Sequence, residues 1–405
     1  MHNRYDFVGL AHLRFTWTLT RDGVPLDEGT LATPDLGAGD RTEIPLPPLG
    51  AGGDGERLLT VRAELAKPTV WAPEGHTVAW GQVPLPSDGH PARTVLDARL
   101  RAADTSGPRI VLGPARFDRS TGALLGLGGH EFRGPRLGLW RAPTDNDRAW
   151  SQRDALYWQA RGLDRLRHRT VSVDPAAEGL TVVVRSAAAA TDCGYLTTYR
   201  WETDGRRLRV RVHTEPVGHW PEREDVFGEP MVDADLPPER YAELVRRDKA
   251  PSLARIGLHW ELPGECSRVS WFGAGPGEAY PDSRRAARVG LFHSSVDELQ
   301  TPYVRPQDNG NRADVRWAEV VDEEGAGLRV EGAELFNLAA RRWDDRHLAE
   351  ARHQSDLTAG PTVHLYTDHV VQGLGSGAVG PGTLPEYRLE VRPADFTLVL
   401  TALPS

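Results

Sequence analysis

Apolar and polar residues alternate in this chain over short runs, and each run is cut off by glycine, proline or aspartate. Leu13-Arg14-Phe15-Thr16-Trp17-Thr18-Leu19 repeats with a period of two, which puts one set of side chains on one face of a strand. Asp22-Gly23 follows, a dipeptide that readily takes the positive φ angles of a two-residue hairpin turn. Leu58-Leu59-Thr60-Val61-Arg62-Ala63-Glu64-Leu65 and His76-Thr77-Val78-Ala79-Trp80 read as further strands, and Leu180-Thr181-Val182-Val183-Val184 and Leu208-Arg209-Val210-Arg211-Val212 are the clearest. With 42 glycines and 31 prolines in 405 residues, a long helix has little room to propagate, so the pattern predicts an all-β chain. Helix signals are few. One is 152–161, where Leu156, Ala160 and Leu163 share a face and Gly162 supplies a stop. The others are 346–353 and a short stretch over 238–247.

The length calls for two or three domains. Residues 1–86 read as a small β-sandwich, 87–94 as a polar linker, and 95–405 as one all-β unit larger than an ordinary sandwich. Within the last, 218–252 is polar and proline-bearing and reads as a surface insertion. No run approaches the roughly 18 apolar residues of a membrane span. Met1-His2-Asn3-Arg4-Tyr5-Asp6 has no apolar signal segment, so a cytoplasmic location with no membrane partner is expected. Cys193 and Cys266 are the only cysteines, too few for a disulfide framework or a zinc quartet. The net charge of −9, with basic residues scattered, gives no nucleic acid a basic face to bind.

Two segments are denser in unusual residues than the rest. One is Trp140-Arg141-Ala142-Pro143-Thr144-Asp145-Asn146-Asp147. The other begins Trp271-Phe272-Gly273-Ala274-Gly275-Pro276-Gly277-Glu278-Ala279-Tyr280-Pro281-Asp282 and resumes at Thr301-Pro302-Tyr303-Val304-Arg305-Pro306-Gln307-Asp308-Asn309-Gly310-Asn311-Arg312. Both closely resemble the C-terminal region of the bacterial β-galactosidases of the retaining glycoside hydrolase class. Asn3-Arg4-Tyr5-Asp6-Phe7, Trp17, Asp22-Gly23 and Val78-Ala79-Trp80 resemble the immunoglobulin-like domain that follows the barrel in those enzymes. The resemblance therefore implies an immunoglobulin-like sandwich followed by the galactose mutarotase-like small-chain supersandwich. In the family a strand leads into the Asn-Arg-Tyr-Asp-Phe motif, so the first domain is expected to begin part-way through a strand.

Retaining glycosidases need two carboxyl groups about 5–5.5 Å apart. Asp145 and Asp147 could share one side of a strand, but Pro143 and the Asp-Asn-Asp run give the segment the look of a hydrogen-bonded turn, which is the reading favoured by the residues. By resemblance this segment is not the catalytic pair. It lies on the rim of the active site, with Arg141, Asp145, Asn146 and Asp147 as supporting residues and no catalytic residue in the chain. Glu278, Asp282 and Arg312 are candidates for a buried ion network that fixes the loops. Gln372-Gly373-Leu374-Gly375-Ser376-Gly377-Ala378-Val379-Gly380-Pro381 resembles the loop that closes one wall of the sugar pocket. Val379, Gly380 and Pro381 would be substrate-rim residues, with valine where relatives carry tryptophan or cysteine. The spacing of His347, His353, His364 and His369 matches no usual metal pattern. No cofactor is expected in this chain, because by resemblance the divalent metal sits on the barrel.

The implied activity is hydrolysis of terminal β-D-galactosides such as lactose, in complex with a barrel-bearing large chain, with a homo-oligomer as another arrangement. A truncated gene product is the other reading of the same resemblance. The alternative of another class is a stand-alone carbohydrate-binding or mutarotase-like protein. That would need a His/Glu acid–base pair in a pocket, for which His130-Glu131 is the one candidate.

Overall fold

The computed structural model describes residues 1–46, 48–50, 52–86, 96, 100–149, 154–189, 191–222, 237, 239 and 250–404. The expected linker over 87–94 lies outside them, and so does the expected helix over 238–247 apart from Glu239. The chain divides into two compact units, Met1–Ala92 and Arg93–Ser405.

In the first unit, β1 (Leu13–Arg21) and β2 (Val24–Leu31) form the hairpin foreseen at Asp22-Gly23. Both turn residues have positive φ, 49° and 83°, which aspartate and glycine tolerate and a branched residue would not. With β3 (Arg57–Leu65) and β4 (Thr77–Leu85) they make an antiparallel sheet in the order β2-β1-β3-β4. The period-two pattern sets the register. Leu13, Phe15, Trp17 and Leu19 lie opposite Leu65, Ala63, Val61 and Leu59. The indole of Trp17 lies across Gly29 of β2, where an added Cβ would stand 2.8 Å from its Nε1. Among the described residues the apolar face of this sheet is covered by irregular chain, with Leu10, Leu36 and Ala72 at one end and Leu49 at the other. Asn3 ties that cover together, since its buried amide donates to the carbonyls of Leu36 and Gly37 and its Oδ1 accepts the Tyr5 N–H.

The second unit holds β5 (Arg109–Leu112), β6 (Ala115–Asp118), β7 (Leu124–Leu127), β8 (His130–Gly138), β9 (Arg167–Ala176), β10 (Gly179–Ala187), β11 (Gly194–Thr203) and β12 (Leu208–Val217). It continues with β13 (Arg255–Pro263), β14 (Arg268–Gly275), β15 (Arg288–Ser295), β16 (Arg312–Val321), β17 (Gly327–Arg341), β18 (Thr362–Val371) and β19 (Ala394–Leu403). These strands join in one curled antiparallel sheet in the order β5-β6-β7-β8-β13-β18-β17-β19-β12-β11-β10-β9, with β16, β14 and β15 branching from β17. Leu208, Val210 and Val212 lie opposite Leu400, Leu398 and Phe396, and Leu180 and Val182 lie opposite Trp201 and Tyr199. They all enter the main core beside the buried rings of Trp260 and Trp271. Burying one such side chain contributes about 2–3 kcal/mol, so strand interleaving carries this fold.

Among the described residues, short helices stand outside the sheet at α1 (Asp145–Arg148), α2 (Asp154–Ala160) and α3 (Asp345–Glu350). Residues 152 and 153 of the helix expected over 152–161 lie outside the described residues. The expected apolar face is displaced there. Leu156 is exposed, and α2 turns Asp154 and Trp158 inward. The reason is a polar anchor: the Trp158 indole N–H donates to Ser252 Oγ at 3.2 Å, and Ser252 Oγ donates to Asp154 Oδ1 at 3.0 Å.

The strands β13 and β18 are buried on both faces over much of their length. Leu258, Trp260 and Leu262 face the main core. By alternation, Arg255 and His259 face the other way, beneath the loops that lead into α1 and α3. This second layer is polar, and the candidate site is built on it.

Candidate functional site

The chain leaving β8 runs extended through Leu139, Arg141 and Ala142, all fully buried. Arg141 has no access to solvent and forms a two-pronged pair with Asp147, Nη2 to Oδ1 and Nη1 to Oδ2 at 3.1 Å each. Its guanidinium also lies 5.7 Å from the ring centre of Trp158 and 6.0 Å from that of Tyr280. Thr144 caps α1. Its N–H and hydroxyl donate to Asp147 Oδ2 at 2.7 and 2.8 Å, and its Oγ1 accepts the Asp147 N–H. This reciprocal cap satisfies donors that a helix start leaves bare. The segment is thus one capped helical turn. Burial raises the Asp147 carboxyl to about 6 against the pull of Arg141.

Asp145 and Asp147 consequently do not form an accessible carboxyl pair. Asp147 is sealed against Arg141, while Asp145 is open to solvent with Arg148 3.9 Å away. Asp145 instead uses its backbone: its N–H donates to Gln307 Oε1 at 2.7 Å, and the Asp308 N–H donates to the Ala142 carbonyl at 3.1 Å. The two dense segments of the sequence are therefore stitched to each other.

Asn146 reaches a third segment. Its Nδ2 donates to the Gly375 carbonyl at 2.7 Å and its Oδ1 accepts the Ala378 N–H at 3.0 Å. Asp282 holds the same loop from the other side, accepting the Gly375 N–H at 2.7 Å. The tip closes on itself, with the Gly380 N–H on the Ser376 carbonyl at 2.7 Å and the Ser376 hydroxyl on the Pro381 carbonyl. Val379 at this tip is wholly exposed, and Gly380 and Pro381 flank it. The structure thus brings Arg141, Asp145, Asn146 and Asp147 together with the 375–381 loop. It leaves Asp145, Val379, Gly380 and Pro381 as the open surface of the group.

The expected network of Glu278, Asp282 and Arg312 takes a different form, since each binds separate groups. Glu278 accepts from the Tyr303 hydroxyl and from the Gly310 N–H. Arg312 donates to the carbonyls of Pro276 and Gly310 at 3.1 and 2.8 Å. Glycine- and proline-rich loops leave many backbone groups without secondary-structure partners, and these side chains supply them.

A larger ion cluster lies beneath, and sequence reading missed it. Arg255 contacts Asp345 at 3.0 Å, Asp368 at 3.1 Å and Asp308 at 3.7 Å. Arg341 contacts Asp345 at 2.9 Å and Asp308 at 3.2 Å, and Tyr280 donates to Asp308 at 2.7 Å. Tyr366 lies under both guanidiniums, its ring centre 4.7 Å from Arg255 and 5.2 Å from Arg341. All these side chains are buried. Burial alone would lower the Arg255 pKa, but Asp345, Asp368 and Asp308 outweigh it and hold it above the ordinary value. Asp308 is pushed upward by burial, yet Arg341, Arg255 and Arg141 bring it below the usual carboxylate value. Asp368 goes the other way, raised to about 7 by burial with Asp345 and Asp308 adding to it. The signal available in the sequence was a lone arginine at an inward position of an apolar strand, as in Ala254-Arg255-Ile256 and Ala339-Ala340-Arg341.

The remaining candidates are scattered. The His130 ring meets the Leu403 carbonyl at 3.0 Å while Glu131 is exposed, so they do not converge on a pocket. His364 lies 3.0 Å from His259, and His369 stacks on Phe396. Among the described residues no group of three or more His, Cys, Asp or Glu is placed to hold a metal ion, and no helix is long and apolar enough to cross a membrane.

Residues 114–400 match the family described as β-galactosidase small chain, and residues 1–86 match β-galactosidase domain 4. A β-galactosidase of Arthrobacter sp. (strain B7) is 35% identical over 95% of this chain and 37% of its own length. The β-galactosidase BgaC of Bifidobacterium adolescentis is 29% identical over 97% of this chain and 36% of its own length. The chain thus spans a little over a third of the curated relatives it matches. A galactose mutarotase related enzyme from Lactobacillus acidophilus covers 75% of this chain and 97% of its own, at 6% identity and a TM-score of 0.35, a likeness too loose to carry an argument.

Proposed function

The chain belongs to the β-galactosidase small-chain family, and we propose that it acts as the C-terminal portion of a β-galactosidase that hydrolyses terminal β-D-galactosides such as lactose. In this reading the acid and nucleophile come from a barrel-bearing chain, because the one carboxyl pair singled out here, Asp145 and Asp147, is divided between solvent and a sealed ion pair. This chain contributes a rigid rim. The observation that carries the reading is the double hydrogen bond of Asn146 to the 375–381 loop. It joins the two segments that most resemble the substrate side of the family and fixes them as one surface.

Rigid positioning is what such a rim can add to catalysis. Holding a sugar in register with carboxyl groups elsewhere removes orientational freedom before the chemical step. Asp145 offers an open carboxylate for sugar hydroxyls, and the exposed tip at Val379, Gly380 and Pro381 offers an apolar wall. Buried Arg141 and Asp147 stand behind that surface as positioning residues. Neither touches substrate.

The test is a pair of assays with a chromogenic β-galactoside. The purified chain alone should give no turnover above a denatured control. Co-expressed with the barrel-bearing portion of a β-galactosidase, it should co-purify with it and raise activity well above that of either piece. Turnover by the isolated chain, or no association and no gain on co-expression, would overturn the reading.

A further inference from the structure

A cleft separate from the rim lies where three distant stretches of the second unit meet. It has a volume of about 590 Å³ and is lined by residues 160, 162 and 164–167, residues 188, 189 and 191, and Arg346 of α3. Small-molecule sites commonly span about 300–1000 Å³, so a single sugar ring with a substituent fits. Its floor depends on close backbone approach. Gly162 has φ +66°, and a Cβ there would stand 2.6 Å from that of Ala188.

The charge of the lining is unusual for a chain of net −9. Arg165, Arg167 and Arg346 all line the cleft, and Asp164 is the one carboxylate among the lining residues. Arg167 has no ion-pair partner among the described residues. Arg165 meets Asp164 Oδ2 at 3.4 Å, and Arg346 is tethered only by an exposed contact with Glu350 at 3.8 Å. Guanidinium groups match phosphate oxygens in geometry as well as charge. A phosphate monoester carries close to two negative charges at neutral pH, which answers three arginines offset by one aspartate.

Asp164 argues against a bare inorganic anion, because its carboxylate would repel one. Its Oδ1 is buried, but the side chain is 22% exposed and Oδ2, beside Arg165, can still accept, while the Thr191 hydroxyl, also in the lining, donates to the Cys193 carbonyl and keeps acceptor capacity. Both features suit a ligand that brings hydroxyl donors as well as negative charge. We infer that this cleft is a binding site for a phosphorylated monosaccharide, with the arginines on the phosphate and Asp164 and Thr191 on ring hydroxyls.

The site is independent of the galactosidase reading, and calorimetric titration of the full chain tests it without any activity assay. The probes are galactose 6-phosphate, galactose and inorganic phosphate. Galactose 6-phosphate should bind, with the other two weaker by about tenfold or more, the change expected when charge-assisted bonds or hydroxyl contacts are lost. Arg167→Ala should weaken the sugar phosphate by about tenfold, and Ala189→Phe, which fills the cleft from an exposed position, should abolish it. Both variants alter exposed residues and should keep the wild-type circular dichroism spectrum. No binding of galactose 6-phosphate would overturn the assignment. So would equal affinity for inorganic phosphate, or undiminished binding in both variants.

Discussion

Replacing Asp368 by asparagine should change how stability depends on pH, in a direction set by the ion cluster. Asp308, Asp345 and Asp368 pair with Arg255 and Arg341, and Arg141, whose pull Asp308 also feels, is matched by Asp147, so three carboxylates meet two cations and the cluster is one proton short of neutrality. Asp368 is where that proton belongs. Its Oδ2 meets Arg255, its Oδ1 has no hydrogen-bond partner, and burial with two neighbouring carboxylates raises it to about 7. An unfolded aspartate titrates near 4. Because the folded value is the higher one, the contribution to stability is fully present below pH ~4 and is lost as pH rises through about 7. One proton corresponds to about 1.4 kcal/mol per pH unit, which sets a ceiling of about 4 kcal/mol across that window. Asp308 works in the opposite sense but below its ordinary value, outside the window.

Asparagine imitates the neutral carboxyl at all pH values. Scanning calorimetry of wild type and Asp368→Asn from pH 4.5 to 8, limits chosen to lie about that window, should therefore show the wild type losing ground to the variant as pH rises. At roughly 2 °C per kcal/mol for a domain of this size, the relative shift in Tm should reach several degrees. Parallel curves would show that Asp368 holds no extra proton, and a wild type that gains on the variant with rising pH would show that Arg255 wins over burial.

Other outcomes follow from the rim. Arg141→Met leaves the sealed Asp147 without its cation and should cost about 3–5 kcal/mol in denaturant unfolding, so a loss under about 1 kcal/mol would mean that Thr144 alone satisfies it. Asn146→Ala removes both hydrogen bonds to the 375–381 loop and should cost about 1–2 kcal/mol, with faster amide exchange at Ala378. Unchanged exchange there would separate Asn146 from the loop. In the assembled enzyme Val379→Trp should lower KM for a galactoside several-fold, since an aromatic face contributes about 1 kcal/mol. An unchanged KM with the fold intact would remove Val379 from the substrate wall.

Much of the strand layout was legible because it rests on local rules. Asp22-Gly23 specifies its own turn, and the period-two runs at Leu13 to Leu19 and Leu208 to Val212 specify which face is buried. The second layer was illegible for a physical reason. Arg255, Asp308, Arg341, Asp345 and Asp368 are separated by 23 residues or more except for the close pair Arg341 and Asp345, and no spacing rule ties them. Their partnership exists only after β13, β18 and β17 have paired. The face of α2 was misread for a related reason. Leu156 has the apolar character that a helix face wants, but the partner that decides orientation is Ser252, 98 residues beyond Asp154.

The same cluster explains how loops rich in glycine and proline can present a fixed surface. Such loops lose much conformational entropy on ordering, and an apolar floor would hold them without direction. A floor of forked guanidiniums and carboxylates holds them with direction, because each bond has a preferred angle. Asp308 shows this most clearly. Its side chain is fixed by Arg341 and Tyr280 while its own N–H holds the Ala142 carbonyl, so the position of the Arg141 segment is tied to the cluster through one residue. Gln307 beside it receives the Asp145 N–H, and Asn146 carries the constraint on to Gly375 and Ala378. Charge buried this way adds little net stability over an apolar replacement. Its effect is to give the rim one arrangement, so substitutions in the cluster should scatter the 375–381 loop before they unfold the unit.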